Sequence, residues 1–113
     1  VKDHPEYDWA HANLADFFLR RNEYTKAFQL AAEAAGRNPN SARNAFLTAK
    51  ALVKLEKHDL GLRWLERAVQ LDPDYSEALY LLSQSYRRLG RAEDAEKTLA
   101  RFQEAAKKRA PRR

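Results

Sequence analysis

The sequence predicts an all-α solenoid of three 34-residue helix-turn-helix repeats, and three observations carry that expectation. Pro5, Pro39 and Pro73 recur at a fixed step of 34 residues. In the same register small residues align with small ones (Ala15, Ala49, Ser83; Ala27, Gly61, Ala95; Ala34, Ala68) and large with large (Phe18, Leu52, Tyr86). Within each unit the apolar residues follow helical spacing in two runs broken by a short turn, and no stretch sustains the alternation of a strand. Three prolines could align by accident; small and large columns sharing one register are much harder to obtain that way. The repeats run 8–41, 42–75 and 76–109, with 1–7 as the end of an upstream unit and 110–113 as a basic tail.

The helices are expected near 8–21, 24–37, 42–55, 59–71, 76–89 and 92–107. After the first, Asn22 tolerates the left-handed conformation that ends a helix. Pro39 stops the second, and Asn40 or Ser41 caps the third. Gly61 costs the fourth helix about 1 kcal/mol relative to Ala, with close helix contact as the compensation. Pro73 stops that helix and Asp74 caps the fifth, which ends at Gly90, where a positive φ is cheap. Glu93, Asp94 and Glu96 open the sixth helix, where negative charge favours the dipole. Each proline is expected between helices, so His4-Pro5-Glu6-Tyr7 reads as the last loop of an upstream repeat, with something helical before Val1.

Packing follows from the columns. Ala15 with Ala27, and Ala49 with Gly61, let paired antiparallel helices approach closely, while Phe18 and Leu52 fill the space beside them. One pair cannot bury its apolar faces alone, so consecutive pairs stack into a shared core. On the sixth helix Glu96, Gln103 and Lys107 replace the apolar outer face that Phe28, Ala35, Leu62 and Val69 give the earlier second helices. That polar surface is expected of a terminal capping helix.

Composition narrows the function classes. The 113 residues suffice for one core, and 44% hydrophobic with 33% charged residues fits a helix-rich protein rather than a disordered one. No apolar run is long enough to span a bilayer, and no signal-peptide pattern opens the chain. Cysteine is absent, which removes disulfides, thiolate metal sites and cysteine nucleophiles, and suits cytosol and periplasm equally. The net charge of +5 is local: residues 1–100 hold fifteen Lys and Arg against fifteen Asp and Glu, and the excess lies in Arg101, Lys107, Lys108, Arg109, Arg112 and Arg113 against Glu104. Such a tail is mainly a solvated electrostatic feature that complements a helix carbonyl end; nucleic-acid contact through it is the lesser alternative. His4, His11 and His58 lack metal-ligand spacing, no serine sits in an elbow motif, and three scattered glycines make no phosphate loop. No catalytic, cofactor-binding or metal residue is expected, and no small-molecule substrate.

The window ALYLLSQSYRRLGRAEDAEKTLARF, residues 78–102, places Leu79, Leu82, Ser83, Tyr86, Gly90, Ala95 and Leu99 at motif positions, preceded by Leu71-Asp72-Pro73. In this it resembles the tetratricopeptide repeat family. The second unit matches through Ala49, Leu52, Leu65, Ala68 and Pro73. The first is looser, with Leu14, Ala15, Phe18, Ala27, Ala34 and Pro39 in place but His11 where a bulky apolar residue is usual.

The resemblance implies a right-handed superhelix whose first helices line a concave, ligand-bearing surface. The inward columns are then Trp9, Ala12, Asn13, Asp16, Leu19 and Arg20, followed by Arg43, Phe46, Leu47, Lys50, Val53 and Lys54. In the third repeat they are Glu77, Tyr80, Leu81, Gln84, Arg87 and Arg88. Six cations there face only Asp16 and Glu77. Aromatic anchors such as Phe46 and Tyr80 beside cations suit an extended acidic-hydrophobic peptide or a partner helix. The bland alternative is that the cations are a solvated helix surface and the aromatics pack between repeats. The family's carboxylate clamp, which holds the C-terminal peptide of heat-shock chaperones, falls here on Ala12, Asp16, Leu47, Glu77 and Leu81, so that ligand is not expected. The expected function is a non-enzymatic protein-interaction module. The rivals are a structural spacer, or self-association through the first helix, where Trp9, Phe17 and Phe18 would show apolar surface. Trp64 is assigned to the core or the convex side.

Overall fold

Six helices form three successive antiparallel hairpins in a computed structural model that describes residues 5–109. They are α1 (Pro5–Arg20), α2 (Tyr24–Arg37), α3 (Ala42–Lys54), α4 (His58–Leu71), α5 (Ser76–Arg88) and α6 (Ala92–Arg109). Each hairpin packs internally, α2 then lies on α3 and α4 on α5, and α1 also touches α3. The described residues contain no strand. The result is an α-solenoid, 38 × 37 × 27 Å in extent.

The turn inside each hairpin is the same backbone device three times. Asn22, Glu56 and Gly90, 34 residues apart, all take positive φ, at 63°, 65° and 80°. The residue after each donates its N–H to the large-column carbonyl five positions back: Glu23 to Phe18 at 2.9 Å, Lys57 to Leu52 at 2.9 Å, Arg91 to Tyr86 at 2.8 Å. The positive-φ residues themselves donate to Leu19, Val53 and Arg87. These paired bonds satisfy carbonyls that a helix end leaves open. Glu56 was not foreseen there, since its side chain gives no conformational relief. It is answered instead by His58, whose Nε2 lies 2.9 Å from Glu56 Oε1. That hydrogen bond, with the imidazole's charge, holds the Glu56 carboxyl below the usual carboxylate range.

Between hairpins, Asn38 and Asp72 donate backward to Ala34 and Ala68 while their own carbonyls receive Ser41 and Tyr75. Pro39 and Pro73 sit inside these turns. Ser41 caps α3 as expected, its Oγ accepting from the Asn44 N–H at 3.1 Å. Asp74 does not cap α5: Tyr75 holds that position without a side-chain bond, and Asp74 instead donates its N–H to Asp72 Oδ1 at 3.2 Å. Pro5 also departs from expectation. It is the first residue of α1, so Pro5, Glu6 and Tyr7 are helical rather than a loop. A first-turn proline loses nothing by lacking an N–H. Residues 1–4 and 110–113 of the sequence reading lie outside the described residues.

The core is built from small residues at helix crossings and leucines between them. Ala15, Ala27, Ala49 and Ala95 are fully buried, as are Leu65 and Leu79. Gly61 marks the tightest approach: a Cβ there would sit 2.9 Å from Val53 Cγ2 and 3.4 Å from the Ala49 carbonyl oxygen. Trp64 and Phe18 are partly buried against this core, which removes Phe18 from the expected apolar surface. His11 joins the first hairpin's helices, its Nε2 3.7 Å from Glu33. Buried hydroxyls bond within their own helix, Thr48 to the Asn44 carbonyl and Thr98 to that of Asp94. Polar ties also cross between hairpins. Asn44, 3% exposed, donates its amide to the Ala34 carbonyl at 3.2 Å, and the Tyr86 hydroxyl donates to Glu66 Oε2 at 2.7 Å. Burial and the Glu66 carboxylate push the Tyr86 phenol up to about 12. On α6, Glu96, Gln103 and Lys107 are exposed where Ala35, Leu62 and Val69 of α2 and α4 are buried.

Two outcomes follow from these contacts. Gly61→Ala gains about 1 kcal/mol of helix propensity but overpacks the stiff Val53 side chain at about 1–3 kcal/mol. The expected net loss is about 1 kcal/mol in urea unfolding, recovered when Val53→Ala is added. Tyr86→Phe is expected to lose about 1–2 kcal/mol at neutral pH by stranding Glu66. Because folding raises this phenol's pKa, its contribution is complete below pH 10, the unfolded value, and is lost as pH rises toward about 12. The stability gap between wild type and Tyr86→Phe should therefore narrow over that interval.

Candidate functional site

The first helices α1, α3 and α5 line one side of the stack, and three cavities run along it. One of about 470 Å³ lies between α1 and α3, walled by Asp16, Arg20, Arg43, Phe46, Lys50 and Lys54 and closed by Tyr75 and Glu77. The next, about 490 Å³, lies between α3 and α5, among Val53, Tyr80, Leu81 and Gln84, with Phe102 reaching in from α6. The last, about 510 Å³, is bounded by Gln84, Ser85, Arg87, Arg88 and His58. The first two share Phe46, Lys50, Lys54 and Glu77; the second and third share Val53, Leu81 and Gln84. Shared walls make them one groove.

Its charges are unevenly answered. Arg20 pairs with Asp16 at 3.1 Å, one turn apart. Arg43 donates to Asn13 Oδ1 at 2.9 Å, which ties α3 to α1 and sets Arg43 at the groove edge. Lys50 Nζ lies 5.9 Å from the centre of the Phe46 ring. Among the described residues Lys50, Lys54 and Arg87 have no carboxylate within ion-pair distance. The groove therefore offers positive charge to solvent, beside apolar walls.

Fifteen of the eighteen inward residues expected from the sequence line these cavities, among them Asp16, Arg20, Arg43, Phe46, Lys50, Lys54, Tyr80, Gln84, Arg87 and Arg88. Asn13 supports Arg43 from outside them, and Trp9, 65% exposed, stands apart on α1. Phe46 needs correction as an open anchor. It is only 6% exposed, its ring packed 5.1 Å from that of Tyr75, so it is the floor between two repeats. Tyr80 is the open aromatic, 46% exposed and 5.1 Å from the Phe102 ring.

Phe102, Tyr75 and His58 were missed because the sequence reading admitted only first helices. Phe102 was within reach: residues 80 and 102 lie ten before and twelve after Gly90, so an antiparallel hairpin brings them side by side. Among the described residues no group of three or more His, Asp or Glu could hold a metal ion, and no helix is long and apolar enough to cross a membrane. What the arrangement offers chemically is positive charge, with Lys50 and Lys54 free of acidic partners among the described residues, beside the exposed Tyr80 and the half-buried Phe102.

Comparison with known proteins places the fold. The sequence matches the family profile of the tetratricopeptide repeat over residues 52–112. It also matches that described as anaphase-promoting complex, cyclosome, subunit 3, over residues 2–68. Among similar solved structures is the first such repeat domain of Spaghetti (RPAP3), bound to HSP90 peptide SRMEEVD. It has 17% identity and a TM-score of 0.87, over 93% of this chain and 83% of that one. The Yersinia enterocolitica type III secretion translocator chaperone SycD, in an alternative dimer, has 14% identity and a TM-score of 0.86, over 94% and 80%. MamA from Desulfovibrio magneticus RS-1 has 19% identity and a TM-score of 0.83, over 96% of this chain but 61% of that one. At such identities the likeness is one of fold. No curated protein matches the sequence.

The two groove aromatics should separate in stability measurements. Phe46→Ala is expected to cost about 3–5 kcal/mol, as for a buried ring, whereas Tyr80→Ala should cost about 1 kcal/mol or less, read from paired urea titrations.

Proposed function

The chain belongs to the tetratricopeptide repeat family, and we propose that it is a non-catalytic protein-interaction module holding an extended acidic-hydrophobic peptide in its groove. One observation carries the reading: Lys50 and Lys54, without acidic partners among the described residues, line the same cavity as the exposed Tyr80 and the half-buried Phe102, and Arg87 lines the cavity next to it. In this reading an apolar side chain of the ligand lies against Tyr80, Phe102 and Leu81, and its acidic neighbours meet Lys50 and Lys54. Buried aromatic contact supplies most of the affinity, while the cations steer encounter and reject basic sequences. An extended chain advances about 3.3 Å per residue, so roughly ten residues would cover most of the 38 Å long dimension.

The Spaghetti complex adds support of a general kind, because its printed peptide, SRMEEVD, carries three acidic side chains against one arginine. The mode of binding proposed here is different. The clamp positions hold Ala12 and Leu47, both buried, Leu81, and the acidic Asp16 and Glu77. Nothing at those positions would favour a terminal carboxylate, so an internal acidic segment is the better fit.

Fluorescence anisotropy with labelled peptides of about ten residues tests this, using Glu/Asp-rich probes with one central Phe or Leu and Lys-rich counterparts as controls. The acidic probes should bind with salt-sensitive affinity. Lys50→Glu/Lys54→Glu and Tyr80→Ala should each weaken binding about tenfold or more, and the basic probes should not bind. Equal binding of both probe classes, or indifference to the Lys50/Lys54 reversal, would discard the groove as the ligand site.

A further inference from the structure

The last of the three cavities differs from the other two in its charges. Its wall holds Arg87 and Arg88 and no carboxylate, whereas Glu77 lines both of the others and Asp16 lines the first. Both arginines are exposed, and among the described residues neither has a carboxylate within ion-pair distance. The acid that the charge of Arg88 does reach is Glu56, which lies outside this wall and is held by His58 Nε2 at 2.9 Å. Nor are the guanidinium groups needed to finish their helix. Leu89, Gly90 and Arg91 donate their backbone N–H groups to the carbonyls of Ser85, Arg87 and Tyr86, so main chain closes the end of α5. Two guanidinium forks therefore stand at one cavity with their donors uncommitted.

We propose that this cavity is a phosphate subsite of the groove, taking a phosphorylated serine or threonine side chain of the bound peptide. It rests on the peptide-groove reading and adds to it control by phosphorylation. Three features favour a phosphate monoester over a carboxylate. Planar guanidinium forks grip phosphate oxygens bidentately, whereas Lys50 and Lys54 beside the apolar cavity are point charges that suit a carboxylate equally well. Two positive charges match the charge of about −1.5 to −2 that a phosphate monoester carries at neutral pH, while a single carboxylate leaves one of them unanswered. The cavity, about 510 Å³, has room for the larger group, and the exposed Gln84 adds a neutral amide donor to its wall. A peptide supplies the phosphate because this cavity shares Val53, Leu81 and Gln84 with the apolar one beside it. Tyr80 and Arg87 are two helical turns apart on α5, about 10 Å along the axis. An extended chain covers that distance in about three residues, which sets the phosphorylated residue about three positions from the apolar one.

Fluorescence anisotropy on the full chain tests this, with acidic probes of about ten residues around one central Phe. Each probe carries Ser, Glu or phosphoserine three residues before or three residues after the Phe. At one of the two placements phosphoserine should tighten binding about tenfold over Ser and about fivefold over Glu. Arg87→Lys/Arg88→Lys keeps the charge and removes the forks. It should abolish most of that gain and leave the affinity for the Ser probe within about twofold, with helical content unchanged by circular dichroism. Inorganic phosphate should displace the phosphoserine probe far less well than the unlabelled phosphopeptide does. Phosphoserine no tighter than Glu at either placement, or a gain that survives the double lysine variant, would discard the subsite and leave the groove standing. If no acidic probe binds at all, the groove falls and the subsite with it. Inorganic phosphate competing as well as the phosphopeptide would make this a site for the free ion and overturn the proposal.

Discussion

Close approach of paired helices is the constraint on which the rest of this structure depends. It is seen where Gly61 of α4 approaches Ala49 and Val53 of α3, and the equivalent positions one repeat before and after hold the buried Ala15 and Ala27, and Ser83 and Ala95. At the middle crossing even one methyl group on residue 61 would strike Val53. Small residues at these points let helix backbones come close, so that stability arises from many modest burials rather than from a few large side chains. Because the spacing recurs every 34 residues, each hairpin meets the next in the same way, and all three first helices end up on one side. The groove is a product of that repetition.

The turns keep the register, and they do so with backbone groups. All three hairpin turns use a positive-φ residue and the same pair of returning hydrogen bonds, whether the residue is Asn22, Glu56 or Gly90. Once the large column residue is packed and its carbonyl is aimed outward, the conformation at the turn is dictated by the helices on either side. That is why a glutamate can occupy a position better suited to glycine or asparagine. Polar side chains then lock neighbouring hairpins, through Asn44 on the Ala34 carbonyl, Arg43 on Asn13 and Tyr86 on Glu66.

The groove inherits its chemistry from what this packing leaves over. Phe46 is drawn into the seam between repeats by Tyr75, while the long side chains of Lys50 and Lys54 remain at the rim. The aromatic that stays open is Tyr80, and the ring beside it comes from α6, which extends past its hairpin partner. In the column of α1 equivalent to the buried stacking face of α3 and α5, Phe17 stands where those helices have Ala51 and Ser85.

The side on which most groove residues lie followed from the family resemblance; by itself the sequence determined the class of fold, the period and the two columns that govern packing. Those properties repeat three times in one register and depend on side-chain size and helical spacing, which are local. Ser41, Asn22 and Gly90 were legible for the same reason, since their turn chemistry belongs to the residue. Pro5 misled because proline is as acceptable in the first turn of a helix as between helices, and Asp74 because Asp72 offered its backbone N–H a competing acceptor. Only the tertiary structure decided that Phe46 is floor and Tyr80 is open, that Phe102 enters the groove, and that Glu56 takes the left-handed turn. Each of these outcomes depends on a neighbour distant in sequence, whose approach no single helix pattern encodes.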